Sequence, residues 1–354
     1  MKRPKLEELE YLRGFAIIGV LLVHTAALFT QMTVTNTLTF FNMFIDNVAH
    51  YAVPLFVFIS GVALAYTYNK EFDAKKFFKK RAASVLPQYL IFSTFFLIFS
   101  YYMGSIFTAS EIIFKFLTGS AFFHLWFFVL IIQLYIAFPA LNRIHIHKAT
   151  LLKALFIQVF FNIGILFIND TNTAIVAGSF FLTKIFYFMF GMYIGQHYNP
   201  FIRQLRNISL NKFKYTALIL PLFITINWYL NTVAAGSFTL IPKTLFIIDQ
   251  IIEPLFVLPI FFILFKAVNS TKLFVKELGR YSYGIYLVHA FYHIIITNWF
   301  ISLGLTYNSW QLYPIVFTLN IFASYVTVLL LSNLPASKYI IGTKRTILPC
   351  SKEA

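Results

Sequence analysis

Apolar runs long enough to cross a bilayer recur along almost the whole chain, with short polar stretches between them. They fall at about residues 14–33, 48–68, 85–103, 121–140, 150–168, 174–196, 214–231, 244–265, 281–303 and 311–332. Because hydrocarbon leaves no partner for unpaired backbone groups, such runs predict helices. The expected fold class is all-α, a polytopic integral membrane bundle of about ten transmembrane helices. No room is left for a separate soluble domain, so residues 1–354 read as one transmembrane domain.

Charge placement supports this count and orients it. The net charge of +16 would suit nucleic acid if the cations formed one patch, but they are sorted by loop. With the N-terminus inside, the even-numbered loops and both ends hold Lys2, Lys5, Arg13, the run from Lys70 to Arg81, Arg143, Lys148 and Lys153. The same side holds Arg203, Arg206, Lys212, Lys214, Lys266, Lys272, Lys276, Arg280, Lys338, Lys344, Arg345 and Lys352. Only Lys115, Lys184 and Lys243 fall opposite. This positive-inside asymmetry places a multi-pass protein in the cell membrane with both termini cytoplasmic, and makes the lipid bilayer, with no nucleic acid, its surroundings. Residues 34–47 are expected to form a polar outer loop. A basic leader before the first run could mark a cleaved signal peptide. However, Arg13 and His24 fit poorly in a signal's apolar region and no small-residue cleavage site follows, so the run is expected to stay as a helix.

Composition adds that the chain is 59% hydrophobic and 20% aromatic, with 45 Phe, as a protein solvated by lipid should be. The single cysteine, Cys350, lies in the C-terminal tail, which excludes structural disulfides and thiolate metal clusters within the chain.

The polar residues inside the apolar runs carry the candidate chemistry. Arg13 and His24 stand eleven positions apart, close to three helical turns, so both project from one face about 16 Å apart along the axis. His24 therefore lies near mid-bilayer, where an ionisable group is costly and marks a functional site. In the second run, Pro54 should kink the helix, and Ser60-Gly61 permits either close helix approach or ordinary packing. Arg81 ends a lysine-rich anchor and could hold a phosphate bidentately at a cytoplasmic mouth. His124 and Trp126 open the fourth run, where Trp126 is either an interfacial anchor or a stacking face in an outer vestibule. Asp249 and Glu253 share one helix face, as a polar lining or as ion-pair partners of Arg13 or Lys243, and Glu253-Pro254 should bend that helix. Ser282, Tyr286, His289 and His293 form a polar stripe on the ninth helix. His289 and His293 have ligand spacing, and His145 and His147 are two apart, but no third ligand accompanies either pair, so no metal site is expected.

These residues resemble a known family. Glu10-Tyr11-Leu12-Arg13-Gly14-Phe15-Ala16 followed by His24, Pro54-Leu55-Phe56 with Ser60-Gly61, His124-Leu125-Trp126-Phe127, and Ser282-Tyr283-Gly284-Ile285-Tyr286-Leu287-Val288-His289 match it in kind and order. The chain is similar to the membrane acyltransferase-3 family, bacterial O-acyltransferases of cell-surface polysaccharides, including members like intercellular adhesion protein C. One departure is that Arg81-Ala82-Ala83-Ser84 has serine where the family often shows a second arginine, for which Lys79, Lys80 or Arg13 would substitute.

The resemblance implies an acyltransferase of groups other than amino-acyl groups. It would move an acyl, by expectation acetyl, group from cytoplasmic acyl-coenzyme A to a hydroxyl of a cell-surface or lipid-linked glycan. Acyl-coenzyme A is then a co-substrate and no bound cofactor is expected. His24 would be the general base and Arg13 and Arg81 would bind the donor. Glu10 would support Arg13, and Trp126, Tyr286 and His289 would shape the acceptor side. Activity is expected within the bundle, with a separate extracytoplasmic protein as a further partner. The alternative is a transporter or exporter of a polysaccharide or small solute, with the intramembrane histidine and carboxylates lining its path.

Overall fold

The computed structural model describes residues 6–32, 35–68, 72–168, 170–235, 243–268 and 273–342. Lys2, Lys5, Lys70, Lys272, Lys344, Arg345, Cys350 and Lys352 lie outside the described residues, as do the side chains of Arg206 and Lys212. Among the described residues there are fifteen α-helices and no strand. In chain order these begin with α1 (Glu8–Ala26), α2 (Thr37–Ala49), α3 (Ala52–Thr67), α4 (Ala74–Tyr102) and α5 (Ala109–Thr118). Next come α6 (Trp126–Leu141), α7 (Lys148–Ile165), α8 (Thr171–Gly178), α9 (Ile185–Gln196) and α10 (Tyr198–Asn207). The chain continues through α11 (Asn211–Ala235), α12 (Lys243–Ala267), α13 (Leu273–Ser302), α14 (Leu312–Ser332) and α15 (Ser337–Ile340).

Eight elements are long and apolar enough to cross a membrane: α1, the α2–α3 pair, α4, α7, α11, α12, α13 and α14. The polytopic helical bundle expected from the sequence is what the chain forms. Outward faces are apolar, as on α7, where Leu152, Phe156, Ile157 and Phe160 are exposed in the manner of lipid-facing side chains.

Several boundaries differ from the sequence reading, for local reasons. Residues 37–47 of the expected outer loop belong to the helix α2, which runs on to Ala49. Asn36 caps it, with Asn36 Oδ1 accepting from Thr39 N at 3.1 Å and the Thr39 hydroxyl accepting from Asn36 N at 3.4 Å. Pro54 lies in the first turn of α3, where a missing N–H costs nothing, and the break comes earlier, at His50 and Tyr51. The third run begins at Ala74, because Asp73 caps α4, accepting from Lys76 N at 3.0 Å, so Arg81 is inside the helix. His124 and Leu125 sit in the turn before α6 and do not open it. The run 174–196 is not one helix; it breaks between α8 and α9 through residues 179–184.

Two aromatic-rich cores result. One joins α3, α9, α12 and part of α6 around Phe58, Phe138, Phe188 and Phe261; the other joins α1, α4 and α13 around Leu21, Phe96 and Ile285. Phe56, Phe127 and Tyr135 pack against both, so α3 and α6 meet at a seam between them.

α1 and α13 touch backbone to backbone. A Cβ on Gly279 would overlap the Glu10 carbonyl oxygen, and a Cβ on Gly14 would overlap the Val275 carbonyl oxygen. Glycine at both positions is therefore what lets the two helices approach this closely.

Candidate functional site

The site is built on α1, and neighbouring side chains fix α1 along its length. The Tyr51 hydroxyl donates to the Phe15 carbonyl at 3.0 Å, and from α14 the Tyr313 hydroxyl donates to the Leu22 carbonyl at 3.3 Å. With the Gly14–Gly279 approach, these contacts set α1 against α13, with His24 on the face of α13 that carries the polar stripe. Ser282, Tyr286, His289 and His293 are all buried on that face.

At the His24 end, four elements converge. The His24 ring stacks on His289, with centroids 5.2 Å apart and planes 29° apart, and Phe123 meets it edge-on at 4.9 Å. His124 reaches in from the turn before α6 and meets His289 at 5.1 Å, Tyr286 at 5.4 Å and Phe96 of α4 at 5.0 Å. The Tyr286 hydroxyl donates to the His124 carbonyl and pins that turn to α13. His289 Nδ1 lies 2.8 Å from the Tyr286 carbonyl. A carbonyl only accepts, so His289 carries its proton on Nδ1 and presents Nε2 as a lone pair. That Nε2 is buried and has no hydrogen-bond partner, as has Nδ1 of His293.

At the other end, two arginines flank one tyrosine. The Arg81 guanidinium lies 5.3 Å from the ring of Tyr135 on α6 and 5.7 Å from that of Phe77. Arg13 lies within electrostatic reach of the same Tyr135, of Glu10 one turn before it, and of Arg81. Arg81 Nε is buried with no hydrogen-bond partner. Two cations held near each other, with an unused buried donor between aromatic faces, form a site that an anion would complete. The two ends are separated by eleven residues of α1 and nine of α6 (Trp126 to Tyr135), about 14–16 Å at 1.5 Å per residue. Aromatic rings fill the space between, with Tyr286 meeting Phe127 at 5.6 Å and Phe128 at 6.0 Å, and Phe128 meeting Tyr283 at 5.8 Å.

The structure thus brings His24, His289 and Tyr286 together, and Arg13, Arg81 and Glu10 together. Trp126 lies apart from both groups. It meets Phe127 at 6.2 Å and lines a cavity of about 440 Å³ whose wall includes Phe123, so it joins His24 through one ring. Ser84 does not face this site; its hydroxyl turns back to the Arg81 carbonyl at 3.1 Å, while Lys79 and Lys80 are exposed. Of the three cations expected to substitute for a second arginine, Arg13 is the one placed beside Arg81.

Tyr135 and Phe123 were not singled out from the sequence. A hydroxyl-bearing ring two positions from Gln133 in an apolar run was the available signal for Tyr135; Phe123 had none among 45 Phe.

The carboxylates of α12 belong elsewhere. Glu253 pairs with Lys184 at 3.3 Å and accepts from the Tyr187 hydroxyl at 3.3 Å, so its ion-pair partner is neither Arg13 nor Lys243. Lys243 instead lies over the Phe167 ring. Asp249 and Glu253, with Asp46 and His50 of the α2 region, line a second cavity of about 310 Å³ beside Ala27 and Thr30. Among the described residues no group of three or more His, Cys, Asp or Glu is placed to hold a metal ion. The exposed rings of His145 and His147 stack on one another at 6.0 Å.

Compared with known families, residues 6–329 match a family model described as an acyltransferase domain, Acyl_transf_3. No curated protein and no solved structure matches the chain.

Proposed function

The chain belongs to the acyltransferase-3 family, and from that membership we propose that it is an integral membrane O-acyltransferase using acyl-coenzyme A, with acetyl as the group moved. The acceptor is a hydroxyl of a cell-surface or lipid-linked glycan. The observation that carries this reading is the pairing of a two-arginine end with a histidine end along one helix, α1.

In this reading Arg13 and Arg81 hold the donor's pyrophosphate, Arg81 by its planar fork and Arg13 as the second cation. Glu10 lies close enough to orient Arg13. The thioester arm passes from the arginines toward His24 along the aromatic seam, whose rings must part to admit it. His24, neutral, accepts the proton of the acceptor hydroxyl as its oxygen attacks the thioester carbonyl carbon. The C–O bond forms, the C–S bond breaks, and the proton taken up by His24 passes to the departing thiolate, which leaves His24 neutral again. His289 holds the His24 ring by stacking, and Tyr286 holds the His124 turn, so both position the site. The membrane is the cell membrane, with the arginine end cytoplasmic as the loop charges imply.

A second reading, export of a polysaccharide or small solute, is favoured by one observation: Asp46, His50, Asp249 and Glu253 line a polar cavity in the bundle, as a translocation path would require. Purified protein in nanodiscs, given radiolabelled acetyl-coenzyme A and candidate glycans, separates the two. Acyl transfer that His24→Ala abolishes and Asp249→Asn largely spares supports the enzyme. No binding or consumption of acetyl-coenzyme A or longer acyl donors refutes it and leaves transport.

A further inference from the structure

The cavity beside Trp126 has walls of unusual composition for the bundle. On one side are Gly119, Ser120, Phe122, Phe123 and Trp126 from the segment before α6 and its first residue; on the other is the end of α8 with Gly178 and Ser179. Among the described residues no charged side chain lines it. Lys115, the nearby cation of α5, donates to the Ser120 carbonyl at 3.4 Å and lies over the Phe107 ring. The far wall is fixed, because Gln133 of α6 donates to the Ser179 carbonyl at 3.0 Å and accepts from Phe181 N at 3.2 Å. The inner wall is Phe123, whose ring also meets His24 edge-on at 4.9 Å. The His24 ring in turn stacks on His289, which is fully buried with its Nε2 unpartnered.

Resting on the acyltransferase reading, we infer that this cavity is the acceptor port and that it takes an uncharged sugar ring, stacked on Trp126 and stopped by Phe123 against His24. Aromatic faces with a few hydroxyls and backbone groups suit the apolar face and hydroxyl rim of a pyranose. A protonated amino sugar would bury its charge among these walls with no counter-charge, and a uronic acid would gain one only by drawing Lys115 from the Ser120 carbonyl and the Phe107 ring; both are costly. The charged cavity near Asp46 and Asp249 is a different chamber, so a charged acceptor has no reason to choose the Trp126 side.

The glycine at 178 supplies the test. A Cβ there meets nothing within 4 Å, so larger side chains project into open space without displacing backbone. The probes are methyl glucoside and methyl N-acetylglucosaminide as uncharged acceptors, against methyl glucuronide and methyl glucosaminide as charged ones, with acetyl-coenzyme A and protein in nanodiscs. The uncharged probes should be acetylated with kcat/KM at least tenfold above the charged ones. Trp126→Ala and Gly178→Phe should each raise the acceptor KM at least tenfold, Gly178→Ala by less, and Gly164→Phe, outside the cavity, should change nothing. Trp126→Phe should recover most of the loss and guards against misfolding of the alanine variant. Equal or better use of the charged glycosides overturns the inference while the enzyme reading stands. So does a Gly178→Phe variant whose acceptor KM holds while its preference for acyl-donor chain length shifts, since the cavity would then hold the acyl chain. If no probe and no donor is consumed at all, the enzyme reading fails and this inference falls with it.

Discussion

Replacing Gly279 by alanine tests whether the α1–α13 contact sets the site. The added Cβ would overlap the Glu10 carbonyl oxygen and come within 2.9 Å of Gly14 N, and all of these are backbone atoms that cannot rotate away. Two opposite effects compete. Alanine gains about 1 kcal/mol over glycine in a helix interior. Overpacking a closely fitted contact costs about 1–3 kcal/mol. Because the overlap is with the neighbouring helix's own backbone, relief requires α1 and α13 to part, and the cost should exceed the propensity gain by about 1–2 kcal/mol. The same parting would pull His24 from His289, whose rings stack at 5.2 Å further along the same pair of helices. Gly164→Ala on α7 is the control, since nothing lies within 4 Å of its Cβ and only the propensity gain remains. Thermal unfolding in nanodiscs, followed by intrinsic fluorescence, should show Gly279→Ala about 1–3 °C below wild type and Gly164→Ala at or above it. Acyl transfer should fall with the first and not with the second. A Gly279→Ala protein as stable and active as the Gly164→Ala protein would refute the claim that glycine is needed for this approach.

Three other substitutions probe the two ends of the site and the separate ion pair of α12. Arg81→Lys keeps the charge and loses the planar fork, so the donor KM should rise about tenfold, roughly 1.4 kcal/mol, with kcat little changed; a fall in kcat at constant KM would remove Arg81 from donor binding. Tyr286→Phe leaves the His124 carbonyl with only the 3.5 Å bond from Phe127 N, so it should cost about 1 kcal/mol and lower kcat without altering donor KM, read from steady-state kinetics beside a melting curve. Glu253→Gln strands Lys184, whose side chain is 17% exposed against 13% for Glu253, and should cost about 3 kcal/mol, most of it recovered in Lys184→Met/Glu253→Gln. Equal stability of the single and double variants would show that the pair is not what holds α12 to the start of α9.

What the sequence revealed and what it hid follow one physical division. Periodicity and hydropathy made the bundle readable, because lipid allows little else to a long apolar run. The eleven-residue step from Arg13 to His24 and the stripe from Ser282 to His293 were equally readable, since a helix fixes which residues share a face. The errors came where short-range chemistry overrides hydropathy. Asn36 and Thr39 start a helix in what composition marks as a loop, and the turn through residues 179–184, held by Gln133, splits an apolar run that looked continuous. Partners were the hardest part. No spacing rule connects Lys184 to Glu253, or Arg13 and Arg81 to Tyr135, because each link joins different helices. The same reasoning explains the roles of Tyr286 and Ser84. Sequence offered Tyr286 as a group shaping the acceptor side and Ser84 as a serine in the place of a second donor-binding arginine, but the fold commits the hydroxyl of Tyr286 to the His124 carbonyl and that of Ser84 to its own helix. A polar residue in a membrane span is therefore not a site residue until the fate of its hydrogen bonds is known. By that criterion the groups still open to a substrate include Arg81 Nε at one end and, at the other, His289 Nε2 beside His24 together with the ring nitrogens of His124 and Nδ1 of His293.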